Sequence, residues 1–513
     1  MKALPLLLLP FLLGASPVDE LVALWDGEGS GCATDVVARA NAAFPTLSDA
    51  DKHAVALRTW PAYQARIAAG EPGFLDGGLR DTCFDPVDVD GFASHEQVLE
   101  SERFRFYVRS GAQVSGEATQ RLAALYEDTL DDYLAAGWRA PAGLETGLQM
   151  PVFLEDLAAD LGAYTWVNPC ASTPEGYADY IVIGTSWLAE PELWEPAVPH
   201  ELFHTLQRRY APSLVQDGVP QDVRWFLEAS ATYQERLMLP ERTALARARA
   251  SSWSTAPWLP LTSRQDTREY ESFVFLVSAE AVAGGPAWHQ RLWEEWEERP
   301  VLDAIDAALA ADGSSLAEAF ADHVRRAAEM DLPGYGADID TPRDVEGLAA
   351  RYDSTELPAK DELDADAPKA PGALGVSYVW IGTRGSLDRS LRVDLDGSFE
   401  DGPDPEWLAV LAPARQGELL EPLTLELEDS GRARGKVHGI DEGIDGVWLM
   451  MAPRSQAVET AGWSWSAKLV SGPDGLATEQ VPVGCSAGGL RGGWLSLGLL
   501  LLVATRLRRR HGQ

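Results

Sequence analysis

Histidine is scarce in this chain, with eight in 513 residues, and cysteine is scarcer, with four. Cationic side chains are also few: 42 Lys and Arg stand against 79 Asp and Glu, a formal net charge of −37. Each shortage excludes something. The cysteines include no CxxC pair, so there is no metal knuckle of that type. A surface this acidic cannot replace the counterions of a polyphosphate, which excludes nucleic acid as a partner. Neither apolar run at the chain ends approaches the roughly 20 residues of a membrane-spanning helix. Apolar residues (46%) and the 18 Trp are plentiful. A chain of this length exceeds one ordinary core and predicts two or three domains.

The ends address the protein outside the cytoplasm. Met1-Lys2, the apolar run Leu4 to Leu13 and the small residues Gly14-Ala15-Ser16 read as a signal peptide, residues 1–16. No Cys follows that run, so it is not a lipoprotein signal. At the other end, Gly484-Cys485-Ser486-Ala487-Gly488-Gly489 precedes an apolar stretch from Trp494 to Thr505 and the cluster Arg506, Arg508, Arg509, Arg510. The Arg cluster predicts a cytoplasmic stop, and residues 490–513 read as a sorting or transmembrane tail. This segment resembles the tripartite sorting tails called MYXO-CTERM. The resemblance implies that Cys485 is the processing and attachment point, that a C-terminal processing enzyme is a partner, and that the mature chain sits at the cell surface or outer membrane. Export permits disulfides. Cys32 with Cys83 is the plausible pair, and Cys170 stays single or replaces one of them.

Between the ends, residues 17–95 predict a helical cap or propeptide. Strand patterns follow at Phe104 to Val108, Met150 to Leu154 and Tyr180 to Gly184, with an amphipathic helix from Gly116 to Ala136. Helical patterns then run over Val223 to Glu235, Glu269 to Ala283, Ala287 to Glu298 and Leu316 to Met330. These place a catalytic domain at 96–345. Residues 346–372 read as an acidic, Pro-containing linker. From 373 to 471 the period changes to two, as in Leu391-Arg392-Val393-Asp394-Leu395, which predicts a β-sandwich. Its Trp380, Trp448, Trp463 and Trp465 read as core. Its role as binding module or spacer stays open. Residues 472–489 read as a tether.

The chemistry concentrates at His200-Glu201-Leu202-Phe203-His204. With histidine this rare, such an HExxH is expected by chance about 0.01 times. On a helix, residues i and i+4 share a face, so His200 and His204 point two imidazoles at one metal ion with Glu201 beside it. A catalytic zinc needs three protein ligands and one open position. Glu228, 24 residues after His204, is the candidate third ligand; Glu235, two turns on, is the runner-up and Asp222 a weaker choice. No third His stands at the short spacing of metzincins.

Trp225-Phe226-Leu227-Glu228-Ala229 and its continuation to Glu235 are similar to the WFxEGxAxYxE pattern of gluzincins, with Ala229 where Gly is common. From about Glu100 to Glu298 the chain resembles a family of secreted metallopeptidases from predatory soil bacteria. That likeness lies in Phe104-x-Phe106-Tyr107, Gly137-Trp138-x-x-Pro141, Tyr180-Ile181-Val182-Ile183, the HExxH and Glu228 segments, and Tyr270-x-x-Phe273-x-Phe275-Leu276. It implies an α+β zincin-like metallopeptidase domain, with a sheet behind active-site helices and a helical lower lobe, followed by an all-β sandwich. It further implies one catalytic Zn²⁺ and hydrolysis of peptide bonds in a peptide or protein substrate. Glu201 would take a proton from the attacking water and pass it to the leaving amine. Tyr270 is the expected oxyanion donor, with Tyr233 and His289 as alternatives, and Thr232 could orient a ligand. A degenerate, zincin-like surface binding protein and a zinc aminopeptidase are the competing readings. Presence of Glu201 opposes the first. Absence of an upstream Gly-x-Met-Glu-Asn motif opposes the second.

Overall fold

The computed structural model describes 46–59 and a few earlier residues, then His95 to Val481 with interruptions, the longest at 212–222, 330–349 and 398–405. The chain is an α+β fold. Its first sheet has the order β1-β2-β3-β5-β4, built from β1 (His95–Glu100), β2 (Phe104–Arg109), β3 (Met150–Glu155), β4 (Ala163–Thr173) and β5 (Gly176–Gly184). The three central strands are mutually parallel, and the edge strands β1 and β4 run antiparallel to their neighbours. Parallel strands are covered on both faces, so they read as continuous apolar runs. Every residue of β3 is buried accordingly. The helix Gly116–Ala135 crosses between β2 and β3 and sets Leu122, Tyr126 and Leu130 against Phe104 and Phe106.

After β5 a short turn leads into the motif helix Pro191–Tyr210. Pro191 suits a first turn, but Pro196 and Pro199 lie inside the helix. An interior proline removes a backbone bond and costs about 3 kcal/mol. Burial offsets that cost, because almost every side chain from Trp194 to Gln207 is inside the protein. A helix apolar on all sides belongs in a core. Tyr133 adds a hydrogen bond to the Pro199 carbonyl at 3.0 Å. The helices Arg224–Met238, Ala244–Thr255, Phe273–Ala283, Ala287–Trp296, Val301–Ala310 and Leu316–Glu329 complete a helical lobe. The expected single helix from Glu269 is broken at Ser272 into Arg268–Glu271 and Phe273–Ala283.

The C-terminal part is two facing sheets. One has the order β11-β10-β14-β8-β6, with β12 added to β10; the other is β16-β13-β9-β15-β7. The strands are β6 (Ala350–Tyr352), β7 (Ala359–Leu363), β8 (Ser377–Gly382), β9 (Ser390–Asp396), β10 (Trp407–Arg415), β11 (Glu418–Leu419), β12 (Leu423–Leu425), β13 (Arg432–His438), β14 (Gly446–Pro453), β15 (Trp463–Val470) and β16 (Thr478–Gln480). Val379, Val393, Leu411 and Leu449 fill the space between the sheets. Two boundaries need correction. The 346–372 stretch is not only linker, since it supplies β6 and β7, which pair with β8 and β15. The 472–489 stretch is not only tether, since β16 pairs with β13. β7 and β16 are short edge strands, where charged residues guard an open ladder against foreign pairing. Charge gave the first segment the composition of a connector, and Gly and Pro gave it to the second.

The sandwich is also not a free unit. The outer face of its first sheet carries Tyr378, Leu408, Trp448 and Met450 into one continuous core with Phe320 and Val324 of the helical lobe. Burying such side chains stabilises by about 1.5–3 kcal/mol each. Backbone bonds fasten the junction: Val376 N–H to the Pro257 carbonyl at 2.8 Å and Gly372 N–H to Trp258 at 3.0 Å. A Cβ on Gly375 would lie 2.2 Å from the Trp258 carbonyl, so glycine is required there. Trp448, Trp463 and Trp465 are buried, and Trp380 is partly so.

His289 and His323 are wholly buried in the lobe, His323 against Trp253, Phe275 and Phe320. Burial pushes both down to about 3. The folded form therefore holds them neutral, while an unfolded histidine protonates near pH 6.5. Their contribution is complete above pH 6.5 and drains away as the pH falls towards 3, by about 1.4 kcal/mol per pH unit per histidine. Thermal melts between pH 7 and 4 should show the wild type losing Tm more steeply than His323→Phe; parallel curves would contradict this.

Among the described residues no helix is long and apolar enough to cross a membrane. The apolar run Leu4 to Leu13, the 490–513 tail, Cys485 and the side chains of Cys32, Cys83 and Cys170 lie outside the described residues.

Candidate metal centre

Two helices and one edge strand build the site. The motif helix contributes His200, Glu201 and His204; the helix Arg224–Met238 packs alongside and contributes Glu228 and Glu235; β4 contributes Thr165. His200, His204 and Glu228 are buried and bring one ligand atom each to within 4.8 Å of one another, a group that could hold a metal ion. The His200 and His204 Nε2 atoms are 3.2 Å apart, and Glu228 Oε2 is 3.2 Å from the first and 3.5 Å from the second.

The opposite ring nitrogens explain why Nε2 faces inward. His200 Nδ1 donates to Glu235 Oε1 at 2.6 Å, and His204 Nδ1 donates to Gln207 Oε1 at 2.7 Å. A proton held on Nδ1 leaves the Nε2 lone pair for a cation. Gln207 is itself fixed by donating to the Leu227 carbonyl at 2.9 Å, which ties the two helices together. Glu235 thus orients His200 rather than joining the ligand triangle. It receives Arg249 Nη1 at 2.7 and 2.9 Å, and the same nitrogen donates to Thr232 Oγ1 at 3.1 Å.

The electrostatics favour positive charge at the centre. Burial alone would raise Glu228, but the His204 and His200 side chains outweigh it and hold the carboxylate well below its usual range. Burial would raise Glu235 too, yet Arg249 and His200 keep it low. Burial opposes charge on His200, and the hydrogen bonds to Glu228 and Glu235 overcome it, pushing the ring up to about 10. Glu201 differs. Burial raises it, and the neighbouring histidines and Thr165 only partly counter that. Thr165 Oγ1 stands 2.7 Å from Glu201 Oε2 and 2.9 Å from its backbone oxygen. A buried carboxyl with a raised affinity for protons suits proton exchange better than metal ligation.

Tyr270 stacks on His200, with ring centroids 5.8 Å apart at 30°, and the Arg249 guanidinium lies over its ring at 4.9 Å. Tyr270 is therefore beside the ligand group. The two alternatives sit in the aromatic core instead. His289 bonds with Gln234 and Ser230 and stacks on Phe203, and Tyr233 packs against His289 at 4.8 Å. Asp222 lies outside the described residues. Sequence reasoning missed Thr165, Gln207 and Arg249. Gln207 was legible as the residue one turn after His204. Thr165 and Arg249 come from distant segments and had no local signal.

Arg249 is the hinge of this support. Arg249→Met should leave Glu235 without its cation and lower metal affinity by about 10–100-fold. Arg249→Lys should recover part of that loss, because it restores charge but not the guanidinium over Tyr270. Competitive chelator titration would read both; equal affinity in Arg249→Met and wild type would refute the role.

No family model matches this chain, and no curated protein does. Among solved structures, a family GH115 4-O-methyl-α-glucuronidase with specificity for decorated arabinogalactans is similar at 13% identity and a TM-score of 0.14. The match covers 66% of this chain and 56% of that one, so the chain spans little more than half its neighbour's length.

Proposed function

We propose that the protein is a zinc-dependent endopeptidase of gluzincin type, exported and held at the cell surface. The ligand triangle supports this most directly. Zinc with nitrogen and oxygen ligands at about 2.0–2.1 Å in tetrahedral geometry separates those ligands by about 3.3–3.4 Å. The sides here are 3.2, 3.2 and 3.5 Å. Two imidazoles whose outer nitrogens donate to Glu235 and Gln207, together with the Glu228 carboxylate, are the donor set such a site requires, with a metal ion taking the place of the proton that His200 otherwise holds.

Zinc bound there would supply Lewis acidity for a water molecule and for the scissile carbonyl. Glu201 accepts a proton from the attacking water and returns it to the leaving amine, and its raised proton affinity fits both steps. Thr165 holds the Glu201 carboxylate in place. Tyr270 donates to the developing oxyanion from beside His200. The antiparallel edge strand β4 offers backbone groups with which an extended peptide can pair. The resemblance of the Glu228 segment to gluzincins, and the absence of an amine-holding motif, favour internal cleavage of protein substrates.

The test is metal analysis of the purified protein together with cleavage of a peptide library. One zinc per chain and internal cleavage abolished by a chelator are expected. A chain that binds no zinc ends this reading.

A further inference from the structure

The outward face of the second sandwich sheet carries an arrangement that the proposed peptidase does not use. β13, β9 and β15 lie side by side there. In register across them, Lys436 faces Arg392 and Arg392 faces Lys468. Alternation along each strand puts all three on the solvent side, since Val437, Leu391, Val393 and Ala467 are buried inward. Like charges directly opposite one another on neighbouring strands are destabilising. Three in one row, in a chain with 37 excess negative charges, is a pattern that an anion would relieve.

The neighbouring rows continue the pattern with acceptors mixed in. Arg434, Asp394, Ser466 and Lys360 form the second row, and Arg432, Asp396 and Ser464 the third. These two rows, together with Arg392, line a concavity of about 640 Å³. Asp394 binds Arg392 through two contacts of 2.8 Å and also pairs with Arg434, so one carboxylate is shared by two guanidinium groups. Burial would raise Asp394, but both arginines outweigh it and keep it ionised. Arg432 binds Asp396 at 2.9 Å and Lys436 lies 3.6 Å from Glu479. Lys468 has no ion-pair partner among the described residues. Six cations thus share these rows with Asp394, Asp396 and Glu479, and Glu362 of β7 extends the third row beside Ser464.

We propose that this face binds an acidic polysaccharide, a sugar chain bearing carboxylate or sulfate groups. The row of cations meets repeated anionic groups, because strands about 4.8 Å apart set the cations at a short regular spacing. The serines and the fixed carboxylates of Asp394 and Asp396 meet sugar hydroxyls, which both donate and accept. A nucleic acid backbone offers phosphates but few hydroxyl donors for these carboxylates to accept from. Neighbouring cations on a rigid sheet also lose little entropy on binding.

Affinity electrophoresis of the full chain in gels containing polygalacturonate, neutral dextran or duplex DNA tests the assignment. The comparison variant is Lys436→Ser combined with Lys468→Ser, both far in sequence from the metal centre. Polygalacturonate should retard the wild type, dextran should not, and the double variant should bind at least tenfold more weakly. The double variant should keep its metal content and peptide cleavage, and its Tm without ligand should be equal to or above that of the wild type. An unretarded wild type, equal retardation of the double variant, or a clear fall in its Tm would overturn the proposal. Stronger retardation by DNA than by polygalacturonate would replace it with a nucleic acid surface.

Discussion

Glu201→Gln is expected to keep one zinc per chain and to lose kcat by about 10²–10⁴, the usual share of a positioned general base. The substitution preserves shape and the contact with Thr165, so the fold and ligand triangle should persist. It removes the one carboxyl in the cluster whose proton affinity is raised rather than lowered. The loss should fall on kcat and kcat/KM alike, since the proton transfer belongs to the transition state. Steady-state cleavage of a fluorogenic peptide alongside metal analysis would check it. Full zinc with near-normal kcat would remove Glu201 from the mechanism.

Glu228→Gln should remove most of the metal, and activity with it. A neutral amide replaces the only anionic member of the triangle. Glu235→Gln should do much less, weakening affinity about 10–100-fold, because its oxygen can still accept from His200 Nδ1 while the charge facing Arg249 is lost. The contrast separates a ligand from a residue that orients one. Zinc occupancy after dialysis against graded chelator reads both variants in one experiment. If Glu235→Gln empties the site and Glu228→Gln does not, the two glutamates have exchanged roles.

Much of the site was visible along the chain because its geometry is local. His200 and His204 share a helix face by periodicity alone, and Gln207 follows one turn later. Glu228 and Glu235 lie two turns apart on a second helix, so either could have been the ligand. Helix-to-helix packing decided between them: Gln207 bonds the Leu227 carbonyl, and Glu235 is drawn to Arg249 and to the outer nitrogen of His200. Tyr270 was a choice among three aromatic or imidazole groups. Only the packing of the lobe put Tyr233 and His289 in the core and Tyr270 beside His200.

The fold divides along the same line. The apolar runs of β2, β3 and β5 announced buried strands, and the change to a period of two announced the sandwich. The strands β7 and β16 were hidden, the first because an edge strand is charged as a linker is, the second because its three residues lie in a stretch rich in Gly and Pro. The run Trp407 to Ala414 in β10 had no alternation, since one face meets the opposite sheet and the other meets the helical lobe. The sequence by itself determined residue types and their periodicity: which helix carries His200, Glu201 and His204, and where the chain turns from helices to sheets. Tertiary structure alone decided which distant groups meet, namely Thr165 with Glu201, Arg249 with Glu235, and Arg392 with Lys436 on one side and Lys468 on the other. Contacts within a helix are set by backbone geometry repeated every turn. Contacts between elements are set by how buried surfaces pack, which no single segment encodes.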